Sequence, residues 1–141
     1  MTCDLCAQDE DEPLWQDAQC RVIWVNDPDY PGFCRVIWKA HVKEMTDLPR
    51  EARHHMMDVV FAVEQAVRET LSPDKINLAS LGNVVPHLHW HVIPRFLTDT
   101  HFPNPIWGSP VRDAVRHDQG GLKQRLQTAI HRYCDSTTRG D

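Results

Sequence analysis

One stretch of the chain alternates histidines strictly with apolar residues: Pro86-His87-Leu88-His89-Trp90-His91-Val92-Ile93-Pro94-Arg95. Strict alternation is the period of a β-strand, because successive side chains leave a strand on opposite faces. The pattern predicts that the three histidines share one face, while the apolar residues between them pack into a core. Near neutral pH an imidazole can serve as a nucleophile, a general acid or base, or a metal ligand. Three imidazoles on one face therefore indicate either phosphate chemistry or a metal site.

This run resembles the signature of the histidine triad (HIT) superfamily of nucleotide hydrolases and transferases, His-φ-His-φ-His-φ-φ, in which φ is apolar. His87 to Ile93 match every position, and the resemblance extends from about Cys3 to Arg95. It implies that the middle histidine, His89, attacks the α-phosphorus of a nucleotide and forms a covalent nucleotidyl-histidine. Covalent catalysis of this kind replaces one difficult displacement by two easier steps.

The two flanking histidines receive supporting roles in this hypothesis. His91 is placed to donate to a phosphate oxygen or to the leaving group, and His87 orients rather than reacts. Such a displacement requires no metal cofactor, because imidazolium and backbone N–H groups can carry the phosphate charge. The substrate expected from the resemblance is a purine nucleotide such as a dinucleoside polyphosphate, a nucleoside phosphoramidate or an adenylate.

The resemblance also suggests residues that bind the nucleotide. Gly82 permits close approach of the backbone to a phosphate and Asn83 can donate to it, although an ordinary hairpin turn explains this pair equally well. The ribose hydroxyls and the base would be held by residues at the end of the first long strand: Asn26 or Asp27 for the ribose, and Ile23 and Trp24 for the base.

Two further positions concern the surroundings of the site: one the leaving group, the other the rim. Val84 stands where many relatives have a hydroxyl residue, so the preferred leaving group is open. Trp107 lies in an apolar loop that closely follows the histidine strand, and exposed aromatic clusters mark binding surfaces. We expect Trp107 at the rim of the site or closing over it; a plug at the edge of the core is the alternative.

Cys3 and Cys6 have the spacing of a zinc knuckle. In relatives with this CxxC pair the remaining ligands are a histidine after the second strand and the first triad histidine, which correspond here to His41 and His87. The resemblance therefore implies a structural zinc held by two cysteines and two histidines. A reduced CxxC pair, with His41 on the surface, is the alternative.

Composition limits the classes of function. A chain of 141 residues with 15 basic and 20 acidic residues has a net charge of −5, which argues against a nucleic-acid-binding face. No apolar run approaches the roughly 20 residues of a membrane span, and the polar N-terminus lacks the features of a signal peptide. Five cysteines argue against a disulfide framework. These observations predict a cytoplasmic protein without nucleic-acid or membrane partners.

The elements that must position the histidines are strands and one long helix. Arg21–Val25 and Phe33–Trp38 are rich in β-branched residues, which predicts two strands that pair antiparallel. A helix is expected to start at Thr46-Asp47-Leu48-Pro49, capped by Thr46 or Asp47 with Pro49 in its first turn, and to end at Ser72-Pro73.

The remaining chain predicts a hairpin and a second helix. Residues 76–81 would pass through a tight turn at Gly82-Asn83 into the histidine strand. Leu122, Leu126, Ala129, Ile130 and Tyr133 have helical spacing. The predicted class is α+β, a mostly antiparallel sheet with one long helix and a C-terminal helix. We assign residues 1–110 to a HIT domain and 111–141 to its helical extension, and the resemblance implies a homodimer.

Three hypotheses follow for the function. The first is an enzyme that works through His89, and the second is a purine-nucleotide-binding regulator of low turnover. The third is a metalloprotein in which the triad itself binds the metal ion, which would require an open coordination position.

Overall fold

Over the residues that the structure describes, the fold consists of a five-stranded antiparallel sheet and two α-helices, which confirms the predicted α+β class. The computed structural model describes residues 3–6, 12–115 and 117–138. Its elements, in chain order, are β1 (Trp15–Gln16), β2 (Cys20–Trp24), β3 (Cys34–Trp38), α1 (Arg50–Leu71), β4 (Lys75–Ala79), β5 (His89–Arg95) and α2 (Leu122–Thr138). The strand order in the sheet is β1-β2-β3-β5-β4.

The predicted pairing of β2 with β3 is confirmed, from Cys20 opposite Trp38 to Trp24 opposite Cys34. Strand β5 lies between β3 and β4, and it is antiparallel to both. Pro94 lies opposite Ile76 of β4, beyond the last residue that β5 pairs with β3. Pro94 has no backbone N–H to donate, and it lies where β5 pairs with β4 but no longer with β3.

The tight turn predicted at Gly82-Asn83 is wrong, because residues 80–88 form a long connection between β4 and β5. Gly82 adopts a φ of 73° within it. Leu88 explains the difference: its carbonyl accepts from Trp38 N and its N–H donates to Val42 O. These bonds draw the chain toward the end of β3 instead of folding it directly back on β4.

The two faces of β5 have different surroundings. Trp90 and Val92 face the main hydrophobic core, which α1 and α2 cover with buried residues such as Val59 and Ile130. The opposite face carries His89 and His91. Alternation along β5 therefore separates the packing residues from the imidazoles, as predicted.

Helix α1 ends as predicted, at Ser72 in the left-handed conformation (φ 49°), but its predicted cap is wrong. Its N-cap is Pro49, without a side-chain hydrogen bond. Asp47 instead accepts from Glu44 N and closes a short 3-10 turn at Met45–Asp47. Buried, extended Leu48 separates the two helical segments.

The C-terminal helix is confirmed as α2, whose Leu126, Ile130 and Cys134 are fully buried in the core. Within the described ranges, no helix is long and apolar enough to cross a membrane.

A buried ion pair fixes the chain where it leaves β5. Arg95, only 2% exposed, donates from Nε and Nη2 to both carboxylate oxygens of Asp99, at 2.8 and 3.1 Å. Its remaining bonds reach Asn77 Oδ1 and Asn104 O, each at 2.7 Å. Burial alone would raise the pKa of Asp99, but hydrogen bonds from Arg95 and from backbone N–H groups outweigh it and lower this pKa to about 2.

Substitution of Asp99→Asn should lower the free energy of unfolding by about 3 kcal/mol or more, because it leaves the Arg95 charge buried without its counterion. Urea denaturation at pH 7 measures the change, with exposed Asp113→Asn as the matched control. A loss below about 1 kcal/mol, the range typical of exposed pairs, would contradict this role.

The same pair predicts a pH dependence. The folded-state pKa of Asp99 is depressed, so its stabilisation is present above the unfolded pKa of about 3.9 and is lost as the pH falls toward 2. The difference in stability between wild type and Asp99→Asn should therefore shrink between pH 5 and pH 2. A difference that stays constant over this range would show that ionisation of Asp99 does not matter.

Candidate active site

The first residue of β5 is His89, whose ring is held by the backbone just before it. Its Nδ1 lies 2.5 Å from His87 O. A carbonyl oxygen only accepts, so Nδ1 carries the proton and Nε2 keeps its lone pair in the neutral ring. Burial is the main cause that lowers the pKa of His89. The structure thus provides an imidazole whose Nε2 is available as a nucleophile.

His91 follows on the same strand face, with its ring edge-to-face against His89 at a centroid distance of 5.0 Å. Phe33 and Trp107 enclose it further, at 5.6 and 4.9 Å. Burial, together with the charge of Arg35, lowers the pKa of His91 to about 4. At pH 7 this ring is neutral, so it can donate one hydrogen bond but carries no charge.

His87 does not join its neighbours on the strand face, which corrects the prediction that all three histidines do. It precedes β5, and its side chain is only 1% exposed. Its Nε2 donates to Trp38 O at 2.6 Å, which leaves Nδ1 as an acceptor directed at cysteine sulfurs. The carbonyl of His87 accepts the hydrogen bond that holds the ring of His89.

The four predicted metal ligands come together. His87 Nδ1 lies 3.4 Å from both Cys3 Sγ and Cys6 Sγ, and His41 Nδ1 lies 3.1 Å from Cys6 Sγ. All four ligand atoms lie within 4.8 Å of one another. Zinc bonds of about 2.3 Å to sulfur and 2.0–2.1 Å to nitrogen, at tetrahedral angles, separate S from N by roughly 3.5 Å. The cluster therefore has the size and donor set of a tetrahedral metal centre.

The hydrogen bond from His87 to Trp38 O strengthens this fit. Metal-bound histidines typically donate their second ring N–H to a carbonyl or carboxylate, which sets the tautomer that ligates. His87 makes such a bond through Nε2, so its Nδ1 is the nitrogen that is available to bind a metal ion. The Cys/His cluster can thus hold a metal ion.

A second group of potential ligands, Asp17, Cys20 and His55, is better explained as structural. Asp17 accepts from the N–H groups of Gln19 and Cys20 and pairs with His55 at 2.7 Å. Burial raises the pKa of the Cys20 thiol to about 12. The carboxylate of Asp17 is already engaged by its own turn and by His55.

A cavity of about 370 Å³ lies in front of His89 and His91. Its lining consists of two histidines, one arginine and mostly apolar neighbours: Leu5, Arg35, Leu81, Gly82, Asn83, Val84, Val85, His89, His91 and Trp107. A larger cavity of about 500 Å³, beside Arg68 and Tyr133, contains none of the predicted site residues. The smaller cavity is therefore the candidate active site.

Four of these lining residues, Leu5, Arg35, Leu81 and Val85, were not singled out by the sequence analysis. Arg35 is a charged residue within the apolar strand β3, and it pairs across to His91. That isolated charge was a signal that could have been recognised. Leu5 had no such signal, because it reaches the cavity only when Cys3 and Cys6 on either side approach His87.

The predicted substrate residues divide into two groups. Gly82, Asn83 and Trp107 line the cavity, and Trp107 is 51% exposed at its rim. Ile23 lies opposite Arg35 in the sheet, whereas Trp24 packs against the main core. Ile23 and Trp24 therefore lie on opposite faces of β2, because successive strand residues alternate. Their role toward a base stays a prediction.

Asn26 and Asp27, the predicted ribose ligands, follow β2. Asn26 is exposed, and Asp27 Oδ1 accepts from Asp29 N at 3.0 Å within the turn. Among the described residues that line the cavity, neither appears. Their role toward a ribose stays a prediction.

Comparison with known proteins identifies the class. The HIT domain family model matches residues 7–98, so the chain belongs to the HIT family. A histidine triad protein from Bradyrhizobium japonicum is 29% identical with a TM-score of 0.72, over 87% of this chain and 90% of that one. A zinc-bound histidine triad family protein from Mycobacterium smegmatis is 25% identical with a TM-score of 0.61, over 88% and 86%.

A curated relative, adenylylsulfatase HINT3 from Arabidopsis thaliana, is 29% identical over 87 residues. The match covers 58% of this chain and 44% of that protein. The chain thus spans less than half the length of this relative.

The hydrogen bond from His89 to His87 O predicts a specific tautomer. Nitrogen-15 NMR of the histidine rings at pH 7 should show His89 protonated at Nδ1 and unprotonated at Nε2. His54, exposed on α1, provides the reference, because free histidine rings favour the Nε2–H form. A spectrum in which His89 carries its proton on Nε2 would contradict the assigned nucleophile.

Proposed function

We propose that this protein is a nucleotide hydrolase or nucleotidyl transferase that cleaves at the α-phosphate through a covalent nucleotidyl-histidine on His89. The observation that carries the proposal is the hydrogen bond from His89 Nδ1 to His87 O, which leaves Nε2 unprotonated and facing the cavity side of the sheet. Membership in the HIT family supports it.

The reaction proceeds by two displacements. His89 Nε2 donates its lone pair to the α-phosphorus, and the bond from phosphorus to the leaving group breaks with its electron pair on that group. Water or another acceptor then attacks the same phosphorus, loses a proton, and releases His89 as the P–N bond breaks. Each step is easier than direct attack by water on the original substrate. We propose that no metal ion is required for either displacement.

Residues around the cavity position the substrate. Gly82 permits close approach of a phosphate, Asn83 can donate to it, and His91 donates one neutral N–H. Trp107, at the rim, limits the access of water when a nucleotide is bound. We propose that the protein acts as a homodimer in the cytoplasm, with residues 1–110 as its HIT domain and 111–141 as a helical extension.

A purine-nucleotide-binding regulator of low turnover is the second candidate. The pKa of about 4 at His91 favours it, because a neutral imidazole is a weak acid for a leaving group that needs a proton. Both candidates bind AMP or GMP against His89 and His91, so turnover separates them. The third hypothesis, metal binding by the triad, is less well supported, because His87 is directed at the cysteines instead.

Substitution of His89→Ala should abolish release of AMP while AMP binding changes little, because a nucleophile contributes along the reaction path and less in the ground state. Turnover on a panel of adenylylated substrates, read by mass spectrometry, measures the loss. Titration with AMP measures binding. His54→Ala, an exposed histidine on α1, is the matched control and should keep wild-type activity.

Two outcomes would count against this mechanism. Retention of most activity by His89→Ala would exclude His89 as the nucleophile. If the wild-type protein binds AMP but hydrolyses none of the adenylylated substrates, the result would favour the nucleotide-binding regulator.

We also propose that the Cys/His cluster binds a structural zinc ion through Cys3, Cys6, His41 and His87. The 3.1–3.4 Å contacts between their ligand atoms and the zinc-bound relative support this proposal. When bound, the ion would supply folding energy and join the N-terminal segment to the sheet.

Purified protein should contain about one zinc ion per chain, and Cys6→Ser or His41→Ala should lower this content strongly. Elemental analysis after dialysis is the measurement. His89→Ala and His54→Ala are the controls, and both should retain the ion. A loss of zinc in His89→Ala, with no loss in His41→Ala, would place the ion in the active site and refute the peripheral centre.

A further inference from the structure

The candidate active-site cavity contains one permanent charge. Among the described residues that line it, Arg35 is the only lysine, arginine, aspartate or glutamate, and its neighbours in the lining include apolar Leu81, Val84 and Val85. Arg35 is half-buried, so its attraction for an anion is stronger than it would be at a fully exposed surface. The cavity is therefore suited to a ligand that brings negative charge close to this arginine.

Strand geometry places Arg35 beside the reacting residues. Arg35 on β3 lies directly opposite His91 on β5, and Ile37 lies opposite His89. Adjacent strands are about 4.8 Å apart, and side chains in the same row project to the same face. The arginine and both histidines thus face one cavity. Arg35 Nε is buried, while the residue as a whole is half-buried, so the inner part of the side chain is shielded from solvent.

Substrates of this site have two kinds of leaving group. An amine, as in a nucleoside phosphoramidate, carries no negative charge and needs a proton in order to leave. A sulfate, phosphate or polyphosphate carries negative charge and leaves as an oxyanion. A guanidinium can bind two oxygens of a tetrahedral oxyanion at once, and it cannot act as a proton donor at neutral pH.

We propose that Arg35 is a specificity-determining residue that binds the anionic leaving group of the substrate and favours nucleotides with sulfate or phosphate leaving groups over phosphoramidates. This inference rests on the proposed function. As His89 Nε2 bonds to the α-phosphorus, the P–O bond breaks with its electron pair on the leaving-group oxygen. Arg35 stabilises the negative charge that accumulates there, and no proton transfer is needed.

The decisive experiment compares substrates that share one nucleotide and differ in leaving group. Adenosine 5′-phosphosulfate and diadenosine tetraphosphate provide sulfate and phosphate oxyanions, and adenosine 5′-phosphoramidate provides an amine. Arg35→Met removes the charge at similar side-chain length. Arg35→Lys keeps the charge but loses the planar guanidinium that can bind two oxygens at once. Exposed Arg125→Met on α2 is the matched control.

Arg35→Met should lower kcat/KM by about 100-fold for the substrates with anionic leaving groups, the usual effect of losing one preorganised donor to a developing oxyanion. The phosphoramidate should change by less than about 3-fold, Arg35→Lys should lie between, and Arg125→Met should match wild type. The ratio of kcat/KM for adenosine 5′-phosphosulfate to that for diadenosine tetraphosphate shows whether sulfate or phosphate is the preferred leaving group. An equal loss on all three substrates would assign Arg35 to the α-phosphate or the fold and overturn the proposal, as would no loss.

A binding measurement tests Arg35 independently of turnover. Wild type saturated with AMP should bind sodium sulfate or sodium phosphate in the cavity, with perturbation of the His91 ring resonances. Arg35→Met should weaken this binding at least about 10-fold. If Arg35→Met does not fold, Arg35→Lys provides the same comparison. Equal anion binding by wild type and the variants would overturn the proposal, whereas a wild type that releases no AMP from any substrate would refute the proposed function.

Discussion

The alternation of β5 is the constraint on which both the core and the site depend. Because side chains repeat with a period of two, Trp90 and Val92 can pack under the helices only if His89 and His91 face the other way. A slip of one residue in register would place imidazoles in the core and Trp90 at the cavity. Strands on both sides of β5 oppose such a slip through their ladders. The packing energy of the core therefore also fixes the face of the sheet on which His89 lies.

His87 connects the Cys/His cluster to the candidate active site. Its Nδ1 faces Cys3 and Cys6, its Nε2 donates to Trp38 O, and its carbonyl accepts from His89. Three contacts of different kinds thus fix His87, and its carbonyl sets the tautomer of His89. Leu5, between the two cysteines, lines the cavity. Order in the N-terminal segment and order in the active site are therefore coupled.

The buried Arg95–Asp99 pair plays the corresponding part at the other end of β5. An ion pair removed from water is tolerated only when its remaining polar groups are satisfied. Here both carboxylate oxygens also accept from backbone N–H groups or from the Tyr30 hydroxyl. The loop that follows is thereby held against the sheet, which brings Trp107 to the edge of His91. The Arg95–Asp99 pair does not line the cavity, yet it helps to determine where Trp107 lies at the cavity rim.

Local periodicity determined much of this protein by itself. The alternation around His89, the helical stripe of α1 and the CxxC spacing each depend on near neighbours in the chain, so the sequence predicted the α+β fold, the histidine strand and the Cys3–Cys6 pair. The family resemblance added His41 and His87 as possible metal ligands. The sequence did not reveal that His87 turns away from the strand face, that residues 80–88 form a long connection, or that Arg35 and Leu5 reach the cavity. Those outcomes depend on contacts between distant segments, such as His87 with Cys3 and Leu88 with Val42. The tertiary structure decided them, because only packing brings the partners of such contacts together.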